Sequence, residues 1–78
     1  MKLSEAKVKF EEHYFDSVEI RVSPGNMDKY FAMLYGRDGK LFMLCNEDES
    51  VVSLEDIGQL VVMLKELGCK ELKLYLTV

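Results

Sequence analysis

The stretch from Lys29 to Cys45 constrains this chain more than any other. Two apolar runs, Lys29 to Tyr35 and Lys40 to Cys45, flank Gly36-Arg37-Asp38-Gly39. Asp-Gly between such runs is the strongest short-range signal for a β-hairpin. A two-residue turn at Asp38-Gly39 sets Tyr35 against Phe42, Met33 against Leu44 and Ala32 against Cys45. Because strand side chains alternate, one face then carries Phe31, Met33, Tyr35, Phe42 and Leu44. The other carries Tyr30, Ala32, Leu34, Leu41, Met43 and Cys45. Both faces are apolar, so both need cover. That pattern belongs to central strands, or to strands whose second face meets a partner.

The clearest helix can cover one face, and either an N-terminal helix or a second subunit is expected to cover the other. Ile57, Leu60, Val61, Leu64 and Leu67 follow the spacing of a single buried stripe. Ser53, with Asp56 three residues on, resembles a capping box, and Gly68 supplies a C-terminal stop, so the helix is expected over Ser53–Leu67. Residues 18–22 and 71–78 alternate with period two and read as half-buried strands, the first ended by Ser23-Pro24-Gly25-Asn26. At the N-terminus, Leu3, Ala6, Phe10 and Tyr14 share a helical stripe that is expected to end before Asp16-Ser17. Lys7 to Glu11 also alternates, so a strand competes there with the helix.

The expected fold class is α+β, a single small domain over residues 1–78 in the order α-β-β-β-α-β. Its four-stranded sheet is mostly antiparallel, with the C-terminal parallel strand reached through the main helix. Placing the doubly apolar hairpin at the centre favours strand order 1-2-3-4. Order 4-1-2-3, with the last strand beside the first, is the alternative.

A length of 78 residues allows one modest core, and no apolar run is long enough to span a bilayer. The start lacks the apolar core of a signal peptide. Cys45 and Cys69 are too few for a disulfide scaffold. A cytoplasmic protein with free thiols is the expectation. A net charge of −4 argues against direct nucleic-acid binding, which needs surplus Lys and Arg.

No constellation points to catalysis. His13 is the single histidine, and on a helix it could join Glu12 and Asp16 as metal ligands. Without a second imidazole or thiolate, a solvated surface histidine is the simpler reading. Ser53 reads as a cap, Cys45 as a small strand residue, and Cys69 follows a helix C-terminus whose dipole disfavours a thiolate. Gly36-Arg37-Asp38-Gly39 lacks the Lys-Ser/Thr and helix of a phosphate loop. Asn46 to Ser50 lacks the ligand register of a calcium loop. No catalytic residue, metal or cofactor is expected.

Two features remain. Glu47, Asp48, Glu49, Glu55 and Asp56 form an acidic patch in a stretch without Lys or Arg. The apolar excess is the other: Phe31, Met33, Tyr35 and Phe42 on the hairpin, then Val62 and Met63 on the helix, are candidate interface residues. The expected function is a small non-enzymatic regulatory or adaptor protein that binds another protein and forms a homodimer, with no membrane contact. The alternative is an acidic inhibitor filling a partner's nucleic-acid-binding groove, such as a phage-encoded anti-defence protein.

Overall fold

In the computed structural model, which describes residues 1–76, the hairpin forms with a different turn from the one expected. Gly36 N–H donates to the Lys40 carbonyl (2.8 Å) and Gly39 N–H to the Gly36 carbonyl (3.1 Å). The loop is therefore three residues, Arg37-Asp38-Gly39, and only Gly39 takes a positive φ, at 84°. Asp-Gly suits this geometry as well as the two-residue turn, because a glycine at the third loop position supplies the left-handed residue. One extra loop residue shifts the register by one and turns the returning strand over. Leu34 now faces Phe42, Met33 faces Met43 and Tyr35 faces Leu41. Phe42 thereby moves to the side of Ala32 and Leu34, while Leu41 and Met43 join Met33 and Tyr35.

The elements are α1 (Leu3–Glu11), β1 (Phe15–Ser23), β2 (Asn26–Gly36), β3 (Leu41–Met43), α2 (Ile57–Leu67) and β4 (Lys73–Tyr75). The fold class is α+β, and the mixed sheet has order β3-β2-β1-β4 with β4 parallel to β1. The expected order 1-2-3-4 is thus corrected to its alternative. The reason lies in the core. β1 is not amphipathic in place: Val18, Glu19 and Ile20 are all buried, as a central strand requires. α2 crosses over β2 and β1, and β4 docks beyond them on the free side of β1. Of the C-terminal alternation, Thr77 and Val78 lie outside the described residues.

Both helices pack on the same side of the sheet. Ala6 of α1 and Leu60 and Leu64 of α2 share one cluster with Val18, Ile20, Ala32, Leu34, Leu44 and Val52, all essentially without solvent exposure. α1 therefore leaves the other sheet face uncovered. It is also shorter than its apolar stripe suggested. His13 adopts φ 56°, Tyr14 N–H donates to the Lys9 carbonyl and His13 N–H to the Phe10 carbonyl. These paired bonds close a helix around a left-handed residue, so His13 is the stop signal of α1.

α2 starts four residues later than expected. Leu54 exchanges two backbone hydrogen bonds with Tyr30 (2.8 and 3.1 Å), which holds residue 54 extended. The cap is accordingly Asp56, whose carboxylate accepts from Gly58 N (2.8 Å) and Gln59 N (3.4 Å). Asp56→Ala is expected to cost about 1 kcal/mol in chemical denaturation, and Ser53→Ala less than about 0.5 kcal/mol. Equal losses would restore Ser53 as the cap.

Between β3 and Leu54 the chain makes a small excursion whose tip repeats the hairpin loop. Asn46 N–H donates to the Ser50 carbonyl and Glu49 N–H to the Asn46 carbonyl. Asp48 accepts from Ser50 N as Asp38 does from Lys40 N. Here Glu49, φ 73°, stands where the first loop has glycine. A left-handed L-residue costs energy that glycine avoids, partly offset by glycine's freer unfolded chain. Glu49→Gly and His13→Gly are each expected to stabilise the fold by about 0.5–1 kcal/mol, read from urea midpoints.

Candidate functional site

The strand pairings place Glu19 and Arg21 of β1, Phe31, Met33 and Tyr35 of β2, Leu41 and Met43 of β3, and Lys73 and Tyr75 of β4 on the face without helices. It combines aromatic residues and methionine, which interface cores favour, with three charged side chains. The structure thus brings Phe31, Met33 and Tyr35 together as expected, but sends Phe42 to the opposite side, where its ring meets Tyr14 (centroids 6.2 Å apart). Leu41 (52% exposed) and Met43 (37%) take its place. The missing signal was loop length, since a two-residue and a three-residue turn share the same dipeptide.

At the centre of this face sits an ionic group that sequence reasoning missed. Glu19 is only 8% exposed. Its Oε1 accepts from the Tyr35 hydroxyl (2.8 Å) and Arg21 Nε (2.8 Å), and Arg21 Nη2 lies 2.7 Å away. The guanidinium also rests 4.6 Å from the centre of the Tyr75 ring. Burial acts to raise the Glu19 pKa, but the Tyr35 hydroxyl and the Arg21 guanidinium overcome it and hold the carboxyl below its usual value. The same bond to Glu19 raises the Tyr35 phenol. The charge pair is therefore neutralised within one chain. A partner can cover it without stranding an unpaired ion.

A carboxyl whose folded pKa lies below its unfolded one stabilises above the unfolded value, and that stability is lost as pH falls through the folded value. Glu19, Asp38 and Asp48 all shift in this direction, the last two held by the Tyr14 hydroxyl and the Ser50 hydroxyl. The urea midpoint is expected to fall as pH drops below about 4. Glu19→Gln should flatten that fall, and an unchanged slope would remove Glu19 from the account.

The acidic residues are placed as follows. Glu47 reaches the N-terminus of α1, accepting from Ser4 N (3.3 Å) and Ser4 Oγ (3.1 Å). Asp48 closes its own loop with Ser50, and Asp56 caps α2. Three of the five carboxylates thus satisfy backbone donors, two of them at helix ends where the dipole favours them. Glu49 and Glu55 are exposed. On the helix, Val62 is exposed and Met63 packs against the core.

Two open clefts, of about 500 and 460 Å³, flank the link from Gly68 to Glu71. Cys69 borders both. Burial pushes its thiol up, and Sγ donates to the Glu71 carbonyl (3.1 Å), so the group is a poor nucleophile. His13 borders the second cleft. Among the described residues, no three His, Cys, Asp or Glu side chains gather as a metal-binding group, and no helix is long and apolar enough to cross a membrane. No family model, curated protein or solved structure matches this chain, so the reading of its surface rests on its own residues.

Proposed function

We propose that this chain is a small non-enzymatic binding module, regulatory or adaptor in kind, that presents the helix-free face of its sheet to another protein and self-associates. One observation carries the reading: both helices cover the same face, so on the other face Phe31, Met33 and Tyr35 are only half-buried and Leu41 and Met43 are exposed, with no helix over them. The face also carries a charge pair satisfied before any partner arrives, which lowers the cost of drying it. The acidic-inhibitor alternative draws on a patch in which three of the five carboxylates already accept from backbone donors. The sheet face is the better-supported surface.

The test is a paired capture from lysate of the encoding organism, using wild type, Met33→Asp and Val62→Asp as baits. Met33 lies on the bare sheet face and Val62 on the exposed side of α2. A protein retained by wild type and Val62→Asp but lost from Met33→Asp is the expected result. Captures that do not distinguish Met33→Asp from wild type would overturn the assignment of this face.

A further inference from the structure

The sheet has two outer edges, and one of them is partly taken up by the chain itself. Along β3, the Met1 carbonyl accepts from Cys45 N (2.7 Å) and the Met1 amino group donates to the Met43 carbonyl (2.9 Å). Lys2 continues this as a parallel bridge to Cys45. Along β4, nothing among the described residues pairs with the outer edge. An open edge is a row of unpaired backbone donors and acceptors, a template for another strand. Beside it lie two large apolar side chains. Leu74 pairs with Ile20 and so belongs to the helix side, yet it is 51% exposed. Leu76, two residues on, is 61% exposed. The helices do not reach over β4.

We propose that β4 pairs antiparallel with β4 of a second copy, about a two-fold axis at Leu74, to join two sheets into one. This rests on the reading of the chain as a self-associating binding module and specifies how the copies meet. The axis must stand perpendicular to the sheet and pass through a residue position, because directly opposite side chains share a face. At Lys73 it would set two ammonium groups against each other, which is unfavourable. At Leu74 it sets that leucine against its own mate and Leu72 against the partner's Leu76. On the other face it brings Lys73 beside the partner's Tyr75, whose ring is already a cation platform for Arg21. The charges exclude the Lys73 register, and the leucine row supplies the apolar contact at Leu74. A two-fold contact uses the β4 edge of both copies, so assembly through it stops at two. The same axis keeps all four helices on one side and merges the two bare faces on the other.

Light scattering of the purified chain at micromolar concentration should give twice the chain mass. Leu74→Asp should give the single-chain mass with an unchanged far-ultraviolet circular dichroism spectrum, because Leu74 is half exposed in one chain. Leu74→Cys, in a background with Cys45 and Cys69 replaced by serine, should form a disulfide between position 74 of two chains on mild oxidation. A wild-type chain that scatters as a single copy overturns the strand pairing, and the docking face still stands or falls on the paired capture. A dimer split by Met33→Asp but not by Leu74→Asp overturns it too, and places the copies face to face.

Discussion

Leu34→Ala is expected to cost about 3–4 kcal/mol and to lower Tm by roughly 15–25 °C. Its neighbour Met33→Ala should cost less than about 1 kcal/mol. Leu34 is fully buried near the C-terminal end of β2, between Val18 on one side and Phe42 on the other, and clusters with Leu60 and Leu64. Removing its branched end opens a cavity that flanking strands cannot close, because their ladders fix the spacing. Met33 points to the bare face, where truncation exposes little that was hidden. In a domain of this size the larger loss approaches the whole stability. Thermal unfolding followed by circular dichroism measures both. Comparable losses at 33 and 34 would mean that the uncovered face is covered after all.

The second large effect is expected at Gly36, for steric reasons. A β-carbon there would stand 2.5 Å from Tyr14 Oη and 2.6 Å from two ring carbons. The ring cannot simply slide, since it is set between Phe15 and Phe42 and its hydroxyl donates to Asp38 Oδ1 (2.6 Å). Gly36→Ala should therefore destabilise by about 2–3 kcal/mol, as overpacking in a buried site does. It also carries an optical signature. The bond to Asp38, with burial and the Asp38 charge, pushes the Tyr14 phenol up to about 12. Expelling the ring should return that titration toward the usual value near 10, visible in ultraviolet absorbance. A destabilised variant whose high-pH tyrosine titration is unchanged would show that Tyr14 had not moved.

The helices and strands were legible in the chain because each depends on local periodicity. The stripe from Ile57 to Leu67 and its Gly68 terminus are properties of neighbouring residues, and the structure follows them. What was not legible depended on distant partners. Ser53 is as good a cap as Asp56 until Tyr30 pins Leu54 in an extended ladder. Asp38-Gly39 marks the turn without stating its length, and one residue of length decides which face receives Phe42. The strand order hinged on β1, whose Glu19 reads as an outward polar residue. In place it is bonded by Arg21 of its own strand and by Tyr35 of the next, and only the strand pairing brings Tyr35 to it.

The same dependence on distance governs the order of assembly. β1, β2 and β3 follow one another through short loops, so their ladders close with little loss of chain entropy. β4 is different: it pairs Leu74 with Ile20, and most of the chain lies between them. Until that last loop closes, β1 is itself a sheet edge, long and apolar on the helix side through Val18, Ile20 and Val22. A chain whose β4 has not yet docked therefore exposes the very strand that forms its centre. In a crowded cell, the interval before β4 docks is the period of greatest vulnerability to aggregation.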